Sequence, residues 1–168
     1  MGYRAVRLES RAHLLLERIA YGIDPTGLQT FHGVTMSQWG WHSMPCPVPG
    51  DGADPAVVAA TIDKVWTDWK WDHCWGWDFP MMAMAAARNG RPGMAVDALL
   101  HASGKNAYNR VGLSTGGPFP YFPSNGGLLY AVALMAAGWD GAPTGVQAPG
   151  FSQDGSWKVK WEGLAPAP

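Results

Sequence analysis

The stretch WGWDFPMMAMAAA, residues 75–87, joins a tryptophan-rich turn to a run of helix-forming residues. Methionine and alanine have high helix propensity, Asp78 can cap a helix, and Pro80 is tolerated in the first turn. Because the run is apolar or small on every side, the helix that it predicts is buried. This buried helix makes the predicted fold class mainly α.

The residues that follow predict a second helix that folds back on the first. Gly90 and Pro92 end the buried helix, because glycine favours the position after a helix and proline cannot continue it. Pro92 also opens a short helix from Gly93 to Ala102. Residues 80–102 are therefore predicted to form a helical hairpin with a very short turn.

An earlier helix has the clearest start signal in the sequence. Asp54 is predicted to be its N-cap and Pro55 its first helical residue. Apolar residues then recur at three- and four-residue spacing and form one stripe. These residues are Val58, Ile62, Val65, Trp66 and Trp69.

Two further helices and one strand complete the predicted elements. The segment Tyr3 to Tyr21 has an imperfect helical pattern of apolar residues. Asn125 is predicted to cap a buried helix from Gly126 to Ala137. The alternation of residues in Trp157-Lys158-Val159-Lys160-Trp161 predicts a short C-terminal β-strand, whose pairing partner is not evident in the sequence.

Composition excludes several functional classes. The chain has 168 residues, which suits one domain with a substantial core. Its 12 basic and 13 acidic residues give a net charge of -1, so no basic surface for nucleic acid is predicted. No run reaches the roughly 20 apolar residues of a membrane span, and the amino terminus lacks the pattern of a secretion signal. We expect a soluble protein without a membrane partner, whose compartment is unknown.

No metal or cofactor site is expected. Cys46 and Cys74 are not part of a CxxC motif, so a disulfide and two separate thiols both stay open. The histidines show neither HxH nor HExxH spacing. The glycine pairs at 116–117 and 126–127 lack the spacing and the lysine of a phosphate-binding loop.

Half of the chain carries a family resemblance, in the segment from Lys64 to Gly141. Its most telling motifs are WGWDFPMMA at 75–83, PSNGGLL at 123–129 and AAGWDG at 136–141. With these motifs the segment resembles the C-terminal part of six-hairpin glycosidases. These are the (α/α)6-toroid glycoside hydrolases, which include α-fucosidase-like and maltose-phosphorylase-like branches.

The resemblance implies a fold and a missing partner. In that family twelve helices in two concentric rings surround a sugar-binding cleft, whereas this chain supplies about five. Residues 1–150 would form part of the toroid catalytic domain, and residues 151–168 a strand and tail. The remainder of the toroid, or a second copy of the chain, would then cover the apolar end helices. Pro123 stands where the α-fucosidase-like branch carries an aspartate base, so that base is absent here.

Asp78 is the candidate catalytic residue. Glycoside hydrolysis usually requires two carboxyl groups across the scissile bond. Asp78 lies between Trp77 and Phe79, whose rings could desolvate its carboxyl group and stack on a sugar. Capping of the following helix explains the same aspartate without any catalytic role. The second carboxylate is not identified by the sequence.

The candidate substrate-binding residues lie in long loops. Large rings in loops either cover the edge of the core or contact a ligand, while polar side chains there can bind sugar hydroxyls or form turns. The candidates are Trp39, Trp41, Trp75, Trp77, Asn106, Tyr108 and Asn125.

Two functions are compatible with these features. In the first, the chain is a portion of a glycoside hydrolase that cleaves O-glycosidic bonds, with a saccharide as substrate. In the second, it is a noncatalytic helical binding or assembly module with aromatic loops. Two carboxyl groups facing an open, tryptophan-lined cleft would favour the enzyme, and buried loop tryptophans would favour the module.

Overall fold

The structure is a computed structural model that describes residues 55–167, and this part of the protein is mainly helical. Its helices are α1 Pro55–Asp68, α2 Asp78–Arg88, α3 Pro92–Leu99 and α4 Phe122–Ala137. Single-turn 3₁₀ helices form at Trp71–His73 and Gly104–Asn106. The mainly α class is confirmed for the described part. The predicted helix Tyr3 to Tyr21 and the N-cap Asp54 lie outside it.

The hairpin of α2 and α3 is closed by a glycine turn. Gly90 has a φ of +69°, and its N–H donates to the carbonyl of Ala87 at 3.1 Å. The N–H of Arg91 donates to the carbonyl of Ala86 at 2.9 Å. These two bonds form a Schellman motif, which requires a left-handed residue of the kind that glycine supplies. The predicted hairpin is confirmed, although α3 ends at Leu99, earlier than predicted.

Helix α2 forms the centre of the described core. Every residue from Asp78 to Ala87 is buried, as its uniformly apolar and small composition predicts. Helix α3 packs along α2, and α4 crosses it near Pro80. A Cβ on Gly127 of α4 would lie 2.9 Å from Cγ of Pro80, so glycine permits this close crossing.

Helix α1 joins the core through Val58, Ile62 and Val65, which are buried. Trp66 of α1 and Trp69, which directly follows the helix, are partly buried, with ring centroids 5.5 and 5.9 Å from that of Trp71. The stripe predicted along α1 therefore faces the core. Trp71 in turn packs on Phe79 of α2 and on His101 after α3, and these rings form one aromatic cluster.

The predicted start of α4 is wrong. The helix begins at Phe122 rather than Gly126, with Pro123 in its first turn, where a missing N–H costs nothing. Asn125 lies inside this turn and is not the N-cap. Its side chain bonds the preceding loop instead, accepting from the N–H of Ser114 at 3.0 Å and donating to the carbonyl of Gly112 at 2.6 Å.

The predicted C-terminal strand is also wrong. Residues 157–161 form no strand, and in residues 55–167 only isolated β-bridges occur, so no sheet edge is present there to pair with them. The tail is held by a bridge instead. The N–H of Ala167 donates to the carbonyl of Gly138 at 2.9 Å, and the N–H of Asp140 donates to the carbonyl of Ala167 at 2.7 Å.

One face of α4 is exposed although it is apolar. Phe122, Leu129 and Val132 recur at helical spacing and are exposed, with Leu129 at 73%. The opposite face, with Ala131, Leu134 and Met135, is buried. Helix α4 therefore presents an exposed apolar stripe. None of the helices in residues 55–167 has the length and apolarity that crossing a membrane requires.

Candidate functional site

The site is built on the turn that leads into α2. The carboxylate of Asp78 accepts a hydrogen bond from the backbone N–H of Trp75 at 2.7 Å. The N–H of Asp78 donates to the carbonyl of Trp75 at 3.1 Å, which closes the turn from the other side. The prediction that Asp78 caps the helix is therefore wrong: Trp77 is the N-cap, and the Asp78 side chain reaches back to a preceding N–H outside the helix, as the acidic residue of a capping box does. Asp78 is fully buried and holds the Trp75 turn in place.

Two glycines let a second loop cross this turn. The N–H of Gly76 donates to the carbonyl of Gly116 at 2.9 Å. A Cβ on Gly76 would lie 2.7 Å from Oγ of Ser124, and a Cβ on Gly116 would overlap the carbonyl oxygen of Lys105. The close approach of the two backbones therefore requires both glycines. This crossing fixes the loop of residues 103–121 against the start of α2.

Tyr121 completes the exposed face of the crossing. Its ring lies 5.4 Å from the ring of Trp75 at an angle of 38°, and it packs against the backbone of Gly117. Trp75 is 40% exposed. We refer to these two side chains as the Trp75–Tyr121 pair. Burial, followed by the negative charge of Asp78, raises the pKa of Tyr121 to about 12, so its hydroxyl is neutral at physiological pH.

A polar network supports the pair from the interior. The hydroxyl of Tyr108 lies 3.0 Å from Oγ of Ser124, which is fully buried at the start of α4. Burial raises the pKa of Tyr108, although its hydrogen bond with Ser124 opposes this shift. Ser114 is also fully buried, and its Oγ accepts from the N–H of Gly116 at 3.2 Å. The buried hydroxyls are paired, which makes this network a rigid support.

Two of the predicted binding residues have structural contacts in this loop. The amide of Asn106 donates to the carbonyls of Leu99 and His101 at 2.9 and 3.1 Å, which satisfies the carboxyl end of α3. Asn125 ties the loop to α4, as described above. Both asparagines hold the loop in shape, and their amide N–H groups point at backbone carbonyls rather than outward.

The predicted tryptophans separate into three groups. Trp75 is exposed at the site, whereas Trp77 is only 8% exposed and lies in the core. Trp39 and Trp41 lie outside the described residues. The structure thus brings together Trp75, Asp78 and, through Ser124, Tyr108. It places Trp77 with the packing residues.

Sequence reasoning missed Tyr121, Ser124 and Gly116. The sequence shows only that the glycines at 116–117 lack the pattern of a phosphate-binding loop, because the role of Gly116 depends on a contact with Gly76, which is distant in the chain. In the sequence, Tyr121 is one of several aromatic residues near Phe119 and Phe122. Nothing local in the sequence indicates that it would stack on Trp75.

Other site chemistries receive no support in the part of the chain that the structure describes. No group of three or more His, Cys, Asp or Glu side chains is placed to hold a metal ion within residues 55–167. Cys74 is buried, and its Sγ lies 3.6 Å from the carbonyl oxygen of Lys70. Cys46, the other cysteine, lies outside the described residues.

Comparison with known proteins adds no assignment. No protein-family model matches the chain, and no curated protein or solved structure matches it either.

Proposed function

We propose that the chain forms one wall of a saccharide-binding cleft in a carbohydrate-active protein. The observation that carries this proposal is the Trp75–Tyr121 pair, an exposed aromatic platform held by a rigid junction. Sugar rings have an apolar face that stacks on indole and phenol rings. A platform whose backbone is already fixed loses little conformational entropy when a ligand binds.

The polar groups beside the platform suit sugar hydroxyls. Because the pKa of Tyr121 is raised to about 12, its hydroxyl keeps its proton and can donate as well as accept. Neutral donors of this kind bind uncharged hydroxyl groups without the desolvation cost of an ion. The site therefore favours a neutral saccharide.

Asp78 acts as a positioning residue in this proposal. Its carboxylate is fully buried and bonds the N–H of Trp75, so it sets the orientation of the turn that carries the indole ring. Hydrolysis of an O-glycosidic bond, which the family resemblance implies, belongs to the complete toroid, which would bring a pair of carboxyl groups to the cleft. The direct catalytic role of Asp78 stays a prediction.

A binding experiment tests the platform. The probes are neutral oligosaccharides of glucose, galactose, mannose, xylose and fucose, and the readouts are tryptophan fluorescence and calorimetry. We expect at least one series to bind and Trp75→Ala to weaken that binding roughly tenfold or more. Trp161→Ala is the matched control, because Trp161 is similarly exposed at 36% but belongs to the tail. Equal affinity of Trp75→Ala and wild type would refute the platform.

A second candidate function is that of a noncatalytic assembly module. It is favoured by the exposed apolar stripe of α4, formed by Phe122, Leu129 and Val132. Light scattering over a range of concentrations distinguishes the two functions. A module assembles in a concentration-dependent manner, and Leu129→Glu abolishes this assembly while leaving saccharide binding intact. A wild-type chain that stays monomeric at high concentration contradicts self-assembly.

A further inference from the structure

A groove in the C-terminal segment is separate from the Trp75–Tyr121 pair. It has a volume of about 250 Å³ and lies between the turn at residues 147–153 and the segment that begins at Gly155. Phe151 and Trp157 form its aromatic wall, with ring centroids 5.2 Å apart at an angle of 47°. Trp157 is 44% exposed, so much of its ring faces outward. We refer to these two side chains as the Phe151–Trp157 pair.

The turn that lines one side of the groove is held against α4 by Gly150. The N–H of Gly150 donates to the carbonyl of Met135 at 3.0 Å, and a Cβ on Gly150 would overlap the Met135 backbone. At the far end, the bridge of Ala167 to Trp139 holds the tail. The segment that carries Trp157 is thus tied to the same region of the core at both ends.

One glutamine organises the turn that forms the near wall. The amide nitrogen of Gln153 lies 3.3, 3.2 and 2.8 Å from the carbonyl oxygens of Gln147, Ala148 and Phe151. Ala148 is buried and has a φ of +52°, a left-handed conformation that is unfavourable for an alanine. The surrounding contacts hold the turn in this conformation, which gives the groove a defined wall.

The charge of the groove sets the class of ligand. Among the described residues that line it, Lys158 carries the only formal charge. Asp154 lies beside the groove without lining it, and its carboxylate accepts from the N–H of Ser156 at 2.9 Å and from the Ser156 hydroxyl. An aromatic wall with a neighbouring ammonium group is complementary to a flat ring that carries an anionic substituent.

From this arrangement we infer that the groove binds a small ring compound bearing a carboxylate, the chemistry shared by sugar acids and aromatic acids. The ring would stack on Trp157, and the carboxylate would pair with Lys158. Pockets for drug-sized ligands span roughly 300–1,000 Å³, so this smaller groove suits a single ring. The inference is independent of the platform proposed above, since no residue is shared by the two sites.

Titration of the full chain with three probes tests the inference. The probes are glucuronate, glucose and benzoate, followed by the indole N–H signals in NMR spectra and by calorimetry. We expect saturable binding of at least one acid and weaker or no binding of glucose. Tighter binding of glucuronate identifies the sugar acid as the ligand chemistry, and tighter binding of benzoate identifies the aromatic acid.

Paired variants distinguish acid binding in the groove from a general effect of surface tryptophans or surface charge. Trp157→Ala should weaken acid binding roughly tenfold, whereas Trp161→Ala should leave it unchanged. Lys158→Met should weaken it roughly two- to fivefold and remove most of its salt dependence, whereas Lys160→Met should not. Both lysines are exposed, but Lys160 does not line the groove.

Two results would overturn the inference. One is the absence of saturable binding for both acids at millimolar concentration in a chain that circular dichroism shows to be folded. The other is an equal loss of affinity in Lys158→Met and Lys160→Met, which would mean that the acids respond to overall charge rather than to the groove. Failure of the Trp75 experiment leaves this test unaffected.

Discussion

Two exposed tryptophans of this protein, Trp75 and Trp157, stack on a second ring with nearly the same geometry. They differ in the backbone that supports them and in the charged groups nearby. Trp75 lies 5.4 Å from Tyr121 at 38°, and Trp157 lies 5.2 Å from Phe151 at 47°. Their exposed fractions, 40% and 44%, are also close. Each platform is defined by its ring stacking, whereas the ligand class proposed for it depends on the neighbouring groups.

The supports of the two platforms follow different designs. The Trp75–Tyr121 pair lies on a crossing of two backbones, with fully buried hydroxyls of Ser114 and Ser124 below it. The Phe151–Trp157 pair lies on a tail that is tied to the core at its ends, with a groove between the ties. The charge that acts on the first pair is the buried carboxylate of Asp78, whereas the second pair has Lys158 at its edge. We therefore expect neutral ligands at the first and anionic ligands at the second.

The largest expected effect on stability comes from adding a side-chain carbon at Gly116, where the two backbones cross. In Gly116→Ala, the added methyl group would overlap the carbonyl oxygen of Lys105 and would lie 2.5 Å from Cα of Gly76. Because backbone atoms cannot rotate away, we expect a loss of about 3 kcal/mol in the free energy of unfolding, measured with urea. Gly104→Ala is the control, since nothing lies within 4 Å of its Cβ position.

The same variant separates the two platforms. In the chains that remain folded, Gly116→Ala should abolish saccharide binding at Trp75 and leave acid binding at Trp157 unchanged. Equal stability of Gly116→Ala and Gly104→Ala would show that the crossing is not as close as the structure has it.

A smaller effect is expected from the buried carboxylate below the first platform. Asp78→Ala removes the acceptor of the Trp75 N–H, which should cost about 2 kcal/mol in urea denaturation. Asp78→Asn keeps an acceptor and should cost less. Asp154→Ala, at an exposed turn beside the second platform, should leave the urea denaturation midpoint nearly unchanged.

Asp78→Asn also has an electrostatic readout. Removing the negative charge favours the tyrosinate form, so the pKa of Tyr121 should fall from about 12. It should stay above 10, because burial, the larger cause, remains. Ultraviolet titration of the tyrosines measures this shift. An unchanged titration curve would contradict the placement of Asp78 beside Tyr121.

Local signals in the sequence were sufficient to predict α2 and α3, the two helices of the hairpin. Gly90 and Pro92 predict the end of α2 and the start of α3 because helix termination is decided by a few adjacent residues. The buried character of α2 follows from composition alone. Both outcomes concern backbone conformation and burial, which neighbouring residues largely determine.

The errors share a different physical cause. Asn125 is a good N-cap by propensity, but its side chain finds partners at Gly112 and Ser114 in a distant loop. The alternating segment 157–161 lacks a partner strand in the described residues. Tyr121 joins the site through stacking on Trp75, a contact between residues far apart in sequence. Contacts of this kind depend on tertiary structure and leave no local pattern.

The smallest expected effect comes from making the two platforms more alike. Tyr121→Phe turns the first pair into an indole and phenyl pair like that of Trp157 and Phe151. The stacking surface stays, so saccharide affinity should fall only about two- to fivefold, through loss of one hydroxyl hydrogen bond. Calorimetry measures this change. A loss as large as that of Trp75→Ala would mean that the hydroxyl, and not the ring, is the main binding group.

Tyr121→Phe also removes a contribution to stability that depends on pH. The pKa of Tyr121 is about 12 in the folded chain and about 10 when unfolded, so the folded state favours the neutral form. This contribution to stability is fully present below pH 10 and is lost as the pH rises from about 10 to about 12. Tyr121→Phe should therefore show a shallower fall in stability over that range than wild type. Equal slopes in Tyr121→Phe and wild type would contradict the raised pKa of Tyr121.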